Sequence, residues 1–251
     1  AIIEAAEETN SPVIIQTTPG TIKYASLSLY HANAAAAAKK AKVPVAIHLD
    51  HGNSFELSMQ ALHTGYTSIM IDGSKLVLNK NIALAKSVVD AGKPNDIPVE
   101  GELGQVGGKE DDTESSGTGY TNPDEAVEFV NQTGVSSLAV GVGTAHGVYA
   151  STPVLNTELI STLRSKIDVP MVLHGASGVS DEAVQECIRR GICKVNFATE
   201  LRIAFTKAVI QYLKENPKTI DPKKYGGVAR EAVKELVIAK IKMLGSGGKA
   251  N

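Results

Sequence analysis

Residues 43–52 read VPVAIHLDHG, residues 137–147 read SLAVGVGTAHG and residues 170–178 read PMVLHGASG. Each begins as an apolar run and reaches a His-Gly pair, at His51-Gly52, His146-Gly147 and His174-Gly175. A short apolar run rich in β-branched residues that stops at glycine reads as a buried strand arriving at its C-terminal edge. Three such edges ending in the same imidazole suggest one site with three nitrogen ligands and an open position, the coordination that catalytic zinc prefers. Three unrelated histidines at loop starts is the competing reading, and for any one of them alone it is the stronger.

Working outward, strand and helix patterns alternate along the chain. AIIEAAEETN at 1–10 has helical spacing, with Ile2, Ile3 and Ala6 on one side, and no capping residue ahead of it. PVIIQTT (12–18) precedes an Ala-rich helix from about Ala25 to Lys42, which Pro44 ends. TSIMIDG, PVEGELG, PMVLHGA and CKVNFAT are each followed by a helical stretch. Pro123 and Gly134 bracket one helix, and Ser180 can cap another that Gly191 ends. A last helix is expected from about Gly227 to Leu244, and the tail GSGGKAN is expected to fray.

Seven strand patterns, each with its helix, imply a parallel sheet covered on both faces. The closed form has eight strands. The expectation is therefore an α/β (β/α)8 TIM barrel forming a single domain over 1–251, with its first strand ahead of residue 1. An open doubly wound sheet is the alternative. The lack of a GxGxxG opening a first helix weakens a dinucleotide-binding reading.

The chain's 251 residues suit one such domain, and its 43% hydrophobic content allows an ordinary core. A net charge of −2 and 4% aromatic residues give no case for nucleic acid. No apolar stretch approaches the ~20 residues of a membrane helix. Cys187 and Cys193 are too few for a disulfide scaffold and read as reduced core residues of a cytoplasmic protein.

In a parallel barrel the C-terminal strand ends face one side, so the His-Gly edges converge. Asp50, next to His51, is suited either to proton transfer at a substrate oxygen or to orienting an imidazole. Glu102 reaches the same face as a further ligand or a hydrogen-bond partner. His48 reads as a core group or a ligand's partner, and Asp72 as a ligand's partner or a satisfied strand-end acid. The loop GGKEDDTESSGTG (107–119) is long and polar, as lids are. Its acids Glu110, Asp111 and Asp112 are a solvated charge run, unless the Gly107-Gly108 hinge swings Glu110 inward. Gly175-Ala176-Ser177-Gly178 and Asn196–Thr199 each precede a helix, where barrels commonly hold phosphate.

The motifs HLDHG (48–52), MIDGS (70–74), VEGELG (99–104), GGKEDD (107–112), GTAHG (143–147), LHGASG (173–178) and KVNFATELRIAF (194–205) resemble those of the class II, metal-dependent fructose/tagatose-bisphosphate aldolases. They span nearly the whole chain in the family's order. The family's N-terminal strand with its FN-type motif has no counterpart. The resemblance implies zinc ligands at His51, His146 and His174, with Glu102 an alternate ligand. It implies proton transfer at the C4 oxygen by Asp50 and at the enolate carbon by Glu110. Gly147, Gly175 and Ser177 would bind the dihydroxyacetone-phosphate end, beside a monovalent cation in many members. Thr18, Asn196 and Thr199 would add substrate contacts. Arg202 and Lys223 would reach the far phosphate, in some members from a partner subunit.

Ala198 stands where fructose-specific members carry Asp, which tilts the expectation to tagatose 1,6-bisphosphate. The implied reaction is reversible aldol cleavage to dihydroxyacetone phosphate and glyceraldehyde 3-phosphate by a homo-oligomer. A zinc hydrolase and a non-catalytic sugar-phosphate-binding or accessory barrel are the rival readings.

Overall fold

The computed structural model describes residues 1–110, 113–115, 119–149 and 153–250, with backbone alone for 109–110 and 113–115. Contacts group the chain into two units: Ile14–Ala36 with Ala46–Asn196, and Ala1–Val13 with Ala37–Val45 and Phe197–Asn251.

The chain runs α1 (Ile2–Glu8), β1 (Val13–Thr17), α2 (Pro19–Ala25), α3 (Leu27–Ala38), β2 (Val45–Gly52), α4 (Phe55–Thr64), β3 (Ser68–Ile71), α5 (Leu78–Gly92) and β4 (Val99–Leu103). Then come β5 (Gly107–Glu110), β6 (Thr113–Ser115), α6 (Pro123–Thr133), β7 (Ser137–Val140), β8 (Ala145–His146), α7 (Thr157–Lys166) and β9 (Met171–Leu173). The last elements are α8 (Asp181–Arg189), β10 (Ile192–Val195), α9 (Thr199–Glu215) and α10 (Pro222–Leu244).

The larger unit is built on a seven-stranded sheet in the order β1-β2-β3-β4-β7-β9-β10. The pairings from β2 through to β10 are all parallel. Neighbours in the sheet are successive in the chain and joined by helices, so this is the α/β, TIM-barrel architecture that the strand count implies. The central strands are buried on both faces, which is why they read as continuous apolar runs: β4 is wholly buried, as are Ile69, Met70 and Ile71 of β3. Met70, Ala139 and Val172 from β3, β7 and β9 pack together. In mid-β4, a Cβ on Gly101 would lie 2.7 Å from a ring carbon of Phe129, so the missing side chain is what seats α6 on the sheet.

Helix ends follow the sequence signals. Asn122 accepts from the amides of Asp124 and Glu125, with Pro123 in the first turn and Gly134 left-handed at the end. Ser180 caps α8 through the Ala183 amide.

Several expectations need correction. The Ala-rich helix is α3, ending sooner than expected, and an unexpected helix, α2, precedes it from Pro19 and stops at Ser26, whose φ of 73° no right-handed helix accommodates. SLAVGVGTAHG is not one strand: β7 stops at Val140, and His146 lies on β8 in a second sheet, ordered β6-β5-β8. The polar loop folds back as β5 and β6, paired antiparallel, with β5 parallel to β8. The last helix starts earlier, at Pro222, capped by Asp221. Cys187 is buried, but Cys193 is exposed.

The smaller unit contains α1, α9 and α10. Ala5, Val237 and Ile241 form its core, with Ile2, Leu201, Val233 and Ile238 packed against them. Its tail does not fray as expected: the Gly248 and Ala250 amides donate to Thr9 and Asn10 carbonyls at 2.9 and 3.0 Å. No helix among the described residues is long and apolar enough to cross a membrane.

Candidate metal centre

His51 sits in the last turn of β2 with φ of 49°, a conformation that β2's regular geometry would not supply. Its amide donates to the Met70 sulfur at 3.3 Å. His174 follows directly after β9, and His146 is the second residue of β8. The three rings meet edge to face, with centroids 4.6 Å (His51–His174), 5.0 Å (His51–His146) and 6.1 Å (His146–His174) apart. One nitrogen of each lies within 4.8 Å of the others. The two sheets between them bring together the three imidazoles that the sequence singles out. A second set, His51, Asp72 and Glu102, meets the same limit and shares His51 with the first.

The outer nitrogens of two rings face carboxylates. His51 Nδ1 is 3.3 Å from Asp72 Oδ2, and His174 Nε2 is 2.9 Å from Glu100 Oε1. Burial alone would raise Asp72, but the hydrogen bond and charge of His51, with two bonds from Ser74, hold it below the usual carboxylate range. Burial would likewise raise Glu100, but the Lys194 ammonium and then the His174 hydrogen bond hold it below that range. Both acids are thus acceptors, and the ring nitrogens facing them are donors. The inner nitrogens, His51 Nε2 and His174 Nδ1, are left to face each other at 2.8 Å. Two ring nitrogens this close need a shared proton or a bound cation between them.

Glu102, buried beside them, differs. Burial and then the Asp72 charge push its carboxyl well above the usual range, only partly offset by His51. Its Oε2 is buried without a hydrogen-bond partner, 3.7 Å from His51 Nδ1. Three clustered imidazoles, with an orphaned Glu102 oxygen beside one of them, are a donor set that suits a divalent transition metal. The residues present fit such an ion.

Asp50 is buried one residue before His51. Gln16 Nε2, from β1, donates to its Oδ2 at 2.7 Å and Asn196 Nδ2, just past β10, to its Oδ1 at 3.4 Å, so both carboxylate oxygens are engaged. Asn196 Nδ2 also lies 3.3 Å from the His174 ring. A cavity of about 600 Å³ reaches two of the three imidazoles, with Thr18, Lys23, Lys75, His51, Glu102 and His146 in its wall.

The phosphate-type loop lies against β8. A Cβ on Gly175, where φ is 65°, would come within 2.6 Å of the Ala145 carbonyl oxygen. Tyr149 closes the contact: the Ala145 amide donates to its hydroxyl at 2.6 Å, and that hydroxyl donates to the Gly175 carbonyl at 2.8 Å. Gly147 is also left-handed, and Ser177 is buried in the same loop. Gly108 meets the other side of β8, where a Cβ would lie 2.2 Å from the His146 carbonyl oxygen.

Not every expected residue is brought together. Glu110 ends β5, but its side chain, and all of Asp111 and Asp112, lie outside the described residues. Thr199 opens α9, Arg202 is exposed on it, and Lys223 is exposed 3.7 Å from Asp221; all three belong to the smaller unit. Sequence reasoning missed Gln16, Glu100, Tyr149 and Lys194. For Glu100 a signal was present, since it alternates with Glu102 along β4 and so shares its side of the sheet.

The profile of the family described as "Fructose-bisphosphate aldolase class-II" matches residues 1–249. The chain belongs to this family. Among solved structures, this class II aldolase is similar to the YdjI aldolase of Escherichia coli K12, at 42% identity over 100% of this chain and 88% of that one, with a TM-score of 0.87. It is also similar to a candidate fructose-1,6-bisphosphate aldolase of Coccidioides immitis, at 32% identity over 99% and 88% of the two chains and a TM-score of 0.88. The fructose-bisphosphate aldolase of Campylobacter jejuni shares the fold, at 23% identity over 100% and 87% of the chains and a TM-score of 0.79. The protein is thus a carbon–carbon lyase of the aldolase type, with a small sugar phosphate as substrate.

Proposed function

We propose that this class II aldolase uses one zinc ion, held by His51, His146 and His174 with Glu102 as an alternate ligand, to cleave a ketohexose 1,6-bisphosphate reversibly into dihydroxyacetone phosphate and glyceraldehyde 3-phosphate. The observation that carries the reading is the pair of imidazole nitrogens converging at 2.8 Å beside the orphaned Glu102 oxygen. When bound, the ion supplies Lewis-acid polarisation of the substrate carbonyl.

The chain's own residues do the rest. Asp50 accepts the proton of the C4 hydroxyl as the C3–C4 bond breaks, and the electron pair of that bond passes to the three-carbon fragment. Gln16 and Asn196 hold the Asp50 carboxylate still while this happens, as a general base requires. Glu110 delivers the proton that turns the enediolate into dihydroxyacetone phosphate. Gly147, Gly175 and Ser177 bind the phosphate of that fragment through backbone amides and a hydroxyl, beside a monovalent cation. Thr18, Asn196 and Thr199 add contacts, while Arg202 and Lys223 serve the far phosphate on the strength of the resemblance alone. Ala198 favours tagatose over fructose 1,6-bisphosphate. The resemblance likewise carries a homo-oligomer in the cytoplasm.

A coupled triose-phosphate assay tests this, run with and without Zn²⁺ and with both bisphosphates side by side. Zinc-dependent release, faster with the tagatose epimer, is expected. Borohydride trapping of substrate on a lysine would overturn the reading.

A further inference from the structure

The acid facing His174 does not act alone. Glu100, on β4, is 2% exposed and has both carboxylate oxygens engaged. Oε1 meets His174 Nε2 at 2.9 Å, and Oε2 meets Lys194 Nζ, from β10, at 2.8 Å. The Lys194 side chain is itself 15% exposed. Its ammonium has a second neighbour, His48 Nε2 at 3.5 Å, and His48 Nδ1 is in turn 2.6 Å from Ser68 Oγ. Burial, then the Lys194 charge, pushes His48 down to about 4, so it is a neutral acceptor toward that ammonium. The result is a line of contacts, Ser68–His48–Lys194–Glu100–His174, that draws on β3, β2, β10, β4 and the end of β9.

We propose that Glu100 and Lys194 are positioning residues that fix the His174 ring so that Nδ1, not Nε2, is the nitrogen offered to the metal. The inference rests on His174 being a ligand and adds which atom binds and what selects it. An imidazole has one donor and one acceptor nitrogen, and a carboxylate offers only acceptors. With Oε1 opposite Nε2, the ring proton is committed to Nε2 and the lone pair to Nδ1. Turning the ring over would give up that hydrogen bond and leave the buried Oε1 without a partner, which costs more than the bond itself gains. Lys194 keeps Glu100 from turning instead. An ammonium has only donors, so Oε2 stays on Lys194 and Oε1 has one direction left. His48, from β2, and Glu100, from β4, both contact the ammonium, so Lys194 is held at two points.

Two measurements test this on the zinc-loaded protein. Long-range ¹H–¹⁵N correlation spectra of the histidine rings, with His174 assigned by substitution, are expected to show hydrogen on its Nε2 and metal on its Nδ1. Lys194→Met and Glu100→Leu are expected to weaken zinc binding about 10- to 100-fold in competition with a chromophoric chelator. Lys194→Arg, which keeps a donor toward Glu100, is expected to recover part of that loss. Hydrogen on His174 Nδ1, or variants that fold and bind zinc as tightly as the wild type, would overturn the proposal. Wild-type protein that binds no zinc would overturn the ligand reading and this inference with it. The spectra need only the wild-type fold, so they decide even where a variant fails to fold.

Discussion

Glu100 and Glu102 stand two residues apart on one strand, equally buried, and behave in opposite ways. Glu100, deeper along β4, has an ammonium on one oxygen and an imidazole N–H on the other, and stays ionised. Glu102, nearer the strand's end, shares its surroundings with Asp72 and keeps one oxygen without a partner. Burial costs both the same kind of desolvation energy, and the partners decide the outcome. The floor of the sheet is electrostatically complete, whereas the rim leaves donors for something to be bound. Structural and chemical work are thereby separated by two residues of sequence.

The largest effect should come from emptying the rim. Chelation by EDTA, or His174→Ala, is expected to lower kcat by about 10³-fold or more, corresponding to several kcal/mol of lost carbonyl polarisation, while thermal unfolding shows the fold retained. Asp50→Asn keeps the shape but removes the base and leaves one acceptor oxygen for two amide donors, and should cost roughly 10² to 10⁴ in kcat. If Asp50→Asn cleaves substrate at the normal rate, the rim's chemistry has been assigned to the wrong acid.

Stability variants test the contrast directly. Glu100→Gln leaves Lys194 without its counter-charge and is expected to destabilise the protein by roughly 3–5 kcal/mol in urea. Glu102→Gln should cost little, since it replaces a group that folding already prefers neutral. The pH dependence follows with its sign. Folding raises Glu102 above its ordinary 4.5, so its contribution to stability is fully present below that value and is lost as pH rises through the folded value. Glu100 works the other way: its contribution is present above 4.5 and is lost as pH falls through a lower folded value. In EDTA, the urea midpoint of Glu102→Gln should therefore gain on that of the wild type as pH rises from 4.5. A gap that shrinks instead would break the comparison. The smallest effect is expected for Tyr149→Phe, which removes two hydrogen bonds between β8 and the Gly175 loop at about 0.5–1.5 kcal/mol each. It should appear mainly as a raised KM for the phosphorylated substrate.

Much of the fold was legible because its signals are local. The apolar runs at 45–52, 68–71 and 171–173 became β2, β3 and β9, and Ser180 and Asn122 capped the helices they precede. The extra helix α2 and its stop at Ser26 were not legible, since nothing in the residues ahead of the Ala-rich run marks a positive φ. Nor was the place of His146: its run looks like a continuation of β7, yet β8 pairs with β5 instead.

The sequence by itself determined the seven strands of the larger sheet, their parallel sense and the three candidate imidazoles, because side-chain periodicity and glycine stops act over a few residues. Only the tertiary structure decided that Lys194 meets Glu100 across 94 residues of chain, that Gln16 aims Asp50, and that one oxygen of Glu102 goes without a partner. These follow from the register of strands distant in sequence. Which polar atoms find partners inside a sheet is fixed by that register, and no local pattern encodes it.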